Sequence, residues 1–217
     1  QTSATYTFNN LATGTYNIKV RVINGTFVND GENTNNYLDS SAQAIGTVEI
    51  TKPTYAVSPS GWSQSKTVTI TYPSGYTNEY SLDGGTTWKS YTGPVSFTAN
   101  GTIIARVNDG KNYVSGNSQS VTSIDTSKPT AASFTTTTTS KSITVTASGT
   151  DSQSNIVRYR FSKDNGATWT EAQTSNKYTF NNLTTGSYNI KVRVINGTFV
   201  NNGENTKNYL DSAAQAI

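Results

Sequence analysis

Residues 1–45 return as residues 173–217, shifted by 172 positions, with seven differences: Ala4/Asn176, Thr5/Lys177, Ala12/Thr184, Thr15/Ser187, Asp30/Asn202, Asn35/Lys207 and Ser41/Ala213. A near-identical block at that spacing marks one full period and the start of a second, so the chain is expected to fold as separate units rather than as one large core. Its two ends then read as cuts through a longer array. With 217 residues there is room for two whole or nearly whole domains and a fragment.

Within each unit the apolar period is two. Val68, Ile70 and Tyr72 alternate with threonine, Tyr80 and Leu82 follow, and Ile103, Ala105 and Val107 repeat the pattern. Ile143 and Val145, then Val157, Tyr159 and Phe161, then Ile190, Val192 and Val194 do the same further on. Clusters of Gly, Asn, Asp and Pro separate these runs. Such alternation places one face of each strand inside and the other in water, the pattern of an antiparallel sandwich. Charged residues are only 13% of the chain, so solubility rests on Thr, Ser, Asn and Gly, while 13 Tyr, 7 Phe and 3 Trp supply the area that small cores need. No helical stripe is visible, and only Leu210–Ala216 has the pattern for a helical turn. The expected fold class is all-β, as tandem antiparallel β-sandwich domains.

Two boundaries share a signature, Thr51-Lys52-Pro53-Thr54 and Ser127-Lys128-Pro129-Thr130. Proline entering a first strand costs no ladder bond there. The cuts give units 1–50, 51–126 and 127–217. The first carries only the last strands of the third, expected near Thr5–Phe8, Tyr16–Ile23 and Ala42–Ile50. The third stops before any counterpart of Gly46–Ile50. Open edges are expected at 1–50 and near 217, where strands could be exchanged with another copy.

Composition narrows the chemistry. The chain has no Cys and no His, which removes disulfides, thiolate metal sites, cysteine nucleophiles and the commonest general base. A net charge of +3 comes from 16 dispersed Lys and Arg, without the basic stripe that phosphate tracking needs, so nucleic acid is not an expected partner. No apolar run is long enough to span a bilayer, and no direct membrane insertion is expected.

Two nine-residue stretches match each other: Tyr80-Ser81-Leu82-Asp83-Gly84-Gly85-Thr86-Thr87-Trp88 and Phe161-Ser162-Lys163-Asp164-Asn165-Gly166-Ala167-Thr168-Trp169. Each reads as a structural hairpin. Asp83 or Asp164 accepts turn N–H groups, Gly85 or Gly166 permits positive φ, and Trp88 or Trp169 folds back as a plug. The pattern S-x-D-x-G-x-T-W resembles the Asp-box of sialidases. The several propeller blades and the clustered arginines of such an enzyme are missing from the sequence, so sialidase-like catalysis is not expected.

The K-P-T openings, the Tyr80–Trp88 hairpin and the run Asn100-Gly101-Thr102-Ile103-Ile104-Ala105-Arg106-Val107-Asn108-Asp109-Gly110 make unit 51–126 resemble bacterial Ig-like modules of large secreted or wall-attached proteins. Unit 127–217, with Ser148-Gly149-Thr150-Asp151-Ser152 and the Tyr178/Leu183/Tyr188 spacing, is similar to fibronectin type III domains, and 1–50 to the end of one. An Asn-rich hairpin, Asn196–Tyr209, departs from the usual fibronectin pattern. The resemblance implies an extracellular location, secreted or on a Gram-positive bacterial surface, with neighbouring repeats of the same polypeptide as the first partners.

Two features carry the binding alternatives. Trp62, in Ser58-Pro59-Ser60-Gly61-Trp62, is either a platform for a sugar ring or a cap on the core. Asp30, Glu32 and Asp39, with Glu204 and Asp211 in the second copy, are candidate calcium ligands because a hard cation wants several oxygens, although exposed Asn, Asp and Gly are equally ordinary turn chemistry. No other cofactor is expected. The reading is a non-catalytic spacer or stalk repeat of an adhesin-like surface protein. The alternative is a carbohydrate- or ligand-binding accessory module of an extracellular adhesin or glycosidase, which would contact a glycan or host surface through Trp62 and the Asn-rich hairpin.

Overall fold

The computed structural model describes residues 2–9, 11, 14–110 and 112–217. Its elements are short antiparallel strands, with single helical turns at Phe27–Asp30 and Phe199–Asn202. The all-β expectation therefore holds, and the alternating residues behave as the period of two requires. On the strand Gly101–Asn108, Ile103, Ala105 and Val107 are buried while their neighbours are not. On Asn189–Asn196 the buried set is Ile190, Val192 and Val194, extended by Ile195 and Asn196.

The two larger units are built to one plan. In the first, Lys66–Thr71 pairs on one side with Thr54–Ser58 and on the other with Val95–Phe97. The facing sheet is centred on Gly101–Asn108, which pairs with Thr77–Ser81 and Tyr113–Ser115, and at its start with Gln119–Val121. In the second unit Ile143–Thr150 takes the first central place, between Ala131–Thr138 and Lys177–Phe180. Asn189–Asn196 takes the other, pairing with Ile156–Ser162, Tyr209–Asp211 and Gln215–Ala216. Each sandwich encloses its own core. Val68, Ile70, Ile103, Ala105, Val121 and Ile124 fill one, and Ile143, Val145, Ala147, Phe161, Ile190 and Val192 the other.

Several sequence expectations are corrected. Leu82 lies past the end of its strand, in the turn, and is 44% exposed. Leu210–Ala216 is not helical; it contributes the strands Tyr209–Asp211 and Gln215–Ala216, because both find a partner on Asn189–Asn196. Thr5–Phe8 is not a strand, although the matching Lys177–Phe180 is. Lys177–Phe180 lies against Ile143–Thr146, whereas among the described residues no strand pairs with residues 6–8. The expected strand Tyr16–Ile23 breaks into Gly14–Ile18 and Arg21–Ile23 for the same reason. Val20 and Val22 are 57% and 59% exposed, whereas the equivalent Val192 and Val194 are 0% exposed. Burying a valine side chain stabilises by about 1.5–3 kcal/mol, so the covering strands, rather than local preference, hold the second copy in one continuous strand.

Candidate functional site at the module junction

Both Asp-box hairpins form as local sequence dictates. Gly84 and Gly85 in one, Asn165 and Gly166 in the other, take positive φ at the turn, the conformation a tight hairpin demands. Ser81 Oγ donates to Asp83 Oδ1 at 2.7 Å, and Asp83 Oδ1 accepts the Thr87 N–H at 2.8 Å. Asp164 repeats this with the Ser162 hydroxyl at 2.7 Å and the Thr168 N–H at 2.8 Å, and also accepts the Thr168 hydroxyl. These hydrogen bonds, those from Thr168 foremost, lower the Asp164 carboxyl to about 2. The Asp83 carboxyl is held down by the same means, Ser81 first.

The tryptophans that close these hairpins are tied to arginines. The Arg106 guanidinium lies 3.9 Å from the ring centres of both Trp88 and Tyr113, and Arg106 Nε donates to Glu79 at 2.7 Å. Arg193 sits 3.7 Å from Tyr209 and 4.6 Å from Trp169. It grips Asp211 through Nε and Nη2 at 2.6 and 2.9 Å, and Glu204 through Nη1 at 2.5 Å. Trp88 and Trp169 thus close a stacked, charge-paired cage.

The carboxylates singled out for calcium belong to the same arrangement. Glu204 bridges Arg193 and Arg160, and Asp211 pairs with Arg193. Glu32 and Asp39 both pair with Arg21. Asp30 lies apart from them, exposed at the end of the helical turn Phe27–Asp30. Among the described residues no three carboxylates converge on a point that could hold a metal ion.

The most developed polar site lies between the two sandwiches. The Asn196–Tyr209 hairpin reaches back and meets the Ser60–Gln64 loop of the preceding unit. Asn201 Nδ2 donates to the carbonyls of Ser60 at 2.8 Å and Trp62 at 2.7 Å. Asn202 Oδ1 accepts the Ser63 hydroxyl at 3.1 Å and the Gln64 N–H at 2.9 Å. Asn205 Oδ1 accepts Gln64 Nε2 at 2.9 Å. Behind this contact is a buried network around Asp125, which is 1% exposed. Asp125 accepts from Ser154 Oγ at 2.6 Å, Ser127 Oγ at 2.6 Å and Asn196 Nδ2 at 3.1 Å. Burial pushes its carboxyl upward, but the bonds from Ser127 and Ser154 outweigh that and leave it below the ordinary range. Asn196 Nδ2 also reaches the Ser127 carbonyl and Asp151 Oδ2.

Trp62 and the Asn-rich hairpin, read as two contacts for an outside ligand, therefore meet each other. Trp62 is half-buried, its carbonyl is occupied by Asn201, and among the described residues no aromatic ring stacks with it. The roles of Asp125, Ser154, Asn196, Asn201, Asn202 and Asn205 were not read from sequence. Asparagine in a loop signals a turn, and only the fold shows which amides face a neighbouring module.

A family model described as the Y_Y_Y domain matches residues 150–208, a stretch that includes the second Asp-box, the central strand Asn189–Asn196 and most of the hairpin. No curated protein matches the chain in sequence. Among solved structures, the chain is similar to fibronectin(III)-like modules of Clostridium thermocellum CbhA, at 15% identity and a TM-score of 0.39, over 75% of this chain and 91% of that one. It is also similar to a chain of a cytokine receptor complex, at 13% identity and a TM-score of 0.32, over 76% and 95%.

Proposed function

We propose that the chain is a non-catalytic spacer of an extracellular protein, in which each sandwich adds length and the junction limits bending. The observation that carries this reading is the junction itself: three asparagine side chains of one unit bond the Ser60–Gln64 loop of the other, over a buried network centred on Asp125. A fully satisfied buried polar network rigidifies what it joins. The chain has no histidine or cysteine, and among the described residues the close Ser–Asp pairs Ser81/Asp83, Ser162/Asp164, Ser127/Asp125 and Ser154/Asp125 are engaged in turn and junction bonds. On this reading the protein sits outside the cell, on a bacterial surface or secreted, its first partners are further copies of its own modules, and the edges at 1–50 and near 217 are where strands would be exchanged with another copy.

NMR relaxation tests the spacer. The two sandwiches should tumble with one correlation time, and a panel of polysaccharides and host glycans, with and without calcium, should leave tryptophan fluorescence unchanged. Saturable glycan binding abolished by Trp62→Ala would replace the spacer with the binding module.

A further inference from the structure

We infer that the first hairpin, residues 24–37, is a preformed docking element for the Ser60–Gln64 loop of a second copy of the 51–126 sandwich. The structure holds the hairpin twice, once docked and once free, in the same internal geometry. In the docked copy Asn196 N–H donates to the Asn208 carbonyl at 2.9 Å, Asn208 Oδ1 accepts the Asn205 N–H at 2.9 Å, and Asn208 Nδ2 donates to the Gly203 carbonyl at 2.6 Å. In the free copy Asn24, Asn36, Asn33 and Gly31 make the same bonds at 2.9, 2.9 and 2.6 Å. Each hairpin has one helical turn, Phe27–Asp30 or Phe199–Asn202. The shape thus needs no partner to form, and docking would order nothing new in it.

The contact chemistry is retained at each point. Asn29 stands where Asn201 donates to two carbonyls, and Asn33 where Asn205 accepts from Gln64. Asp30 replaces Asn202, whose Oδ1 accepts from Ser63 and Gln64. A carboxylate keeps that acceptor and strengthens it with charge. Within this chain the Ser60–Gln64 loop is occupied by the second hairpin, while Asn29 and Asp30 are exposed. The chemistry selects this loop as occupant because it offers two carbonyls and three donors in the arrangement the docked copy already meets. The inference rests on the spacer reading, since one such contact per period would repeat the joint along an array.

The test uses the full chain lengthened at its N-terminus by a second copy of its own residues 51–172. The Gln64 amide reports docking directly, since its N–H is the donated group. Both Gln64 amides should exchange about tenfold more slowly than an open-loop amide. Asp30→Ala should release only the added copy's amide, Asn202→Ala only the original one, and Asp30→Asn should preserve protection. An added Gln64 that exchanges freely, or that ignores Asp30→Ala while the original responds to Asn202→Ala, overturns the inference. An original Gln64 that ignores Asn202→Ala overturns it as well, by removing the template. Glycan binding at Trp62 would defeat the spacer reading without changing these exchange rates.

Discussion

Gly197→Ala and Gly25→Ala form a matched pair, because both glycines stand in the same Asn-Gly-Thr-Phe sequence in the same turn. A Cβ on Gly197 would lie 2.5 Å from the Ser154 carbonyl oxygen and 3.0 Å from Ser154 Cβ, whereas one on Gly25 would meet nothing within 4 Å. A close carbon–oxygen contact is about 3.3 Å, so backbone has to move by the better part of an ångström at Gly197. Any movement also strains the bond from the Gly197 N–H to Ser154 Oγ, at 3.1 Å. Overpacking of this kind costs about 1–3 kcal/mol. For a sandwich of this size each kcal/mol lowers the melting temperature by about 4–8 °C, so the 127–217 transition should fall by roughly 5–20 °C. Gly25→Ala carries the same change in backbone preference without the clash and should lower no transition. Differential scanning calorimetry of the three proteins decides it. Equal losses from both substitutions, or none from Gly197→Ala, would refute the argument that the docked turn is packed against Ser154.

Acid should loosen the second Asp-box first at its carboxylate. The Asp164 carboxyl falls from an ordinary 3.8 to about 2 on folding, so its contribution is complete above about pH 4 and is lost as pH drops toward 2; a Trp169-sensitive fluorescence titration should show that phase, and Asp164→Asn should remove it. Asp125→Ala should cost about 1–3 kcal/mol, chiefly because the buried Ser154 hydroxyl loses its acceptor. Urea titration would measure it, and a loss below 0.5 kcal/mol, about the weakest ordinary hydrogen bond, would count against the network. Arg193→Lys keeps the charge but loses the two-pronged grip on Asp211 and the stacking on Tyr209. It should destabilise the 127–217 sandwich by about 1–2 kcal/mol and redshift Trp169 emission.

Much of the fold is legible in the alternation. Ile103, Ala105, Val107, Ile190, Val192 and Val194 are read from sequence as inward and lie in the cores. The Asp-box turns are equally legible because Asp83 and Asp164 act within a few residues of themselves. What escapes is whatever depends on a partner distant in the chain. Tyr6–Phe8 and Tyr178–Phe180 share a sequence and even an edge-on ring pair, at 4.8 and 4.9 Å, yet only the second is a strand, because among the described residues only it has a strand to pair with. The junction escaped for the same reason: Asn201 and Ser60 are 141 residues apart. The carboxylates that looked like cation ligands, Glu32, Asp39, Glu204 and Asp211, have guanidinium partners on another strand.

The clasp between the sandwiches is made outwardly of neutral amides, hydroxyls and carbonyls. The carboxylates behind it, Asp125 and Asp151, are bonded to uncharged donors, and Asp125 is shielded from bulk ions. Mobile ions screen attraction between exposed charges and have little hold on bonds of this kind. The angle between the modules should accordingly stay the same from dilute to concentrated salt, whereas an array jointed by lysine–glutamate pairs would slacken as ionic strength rose.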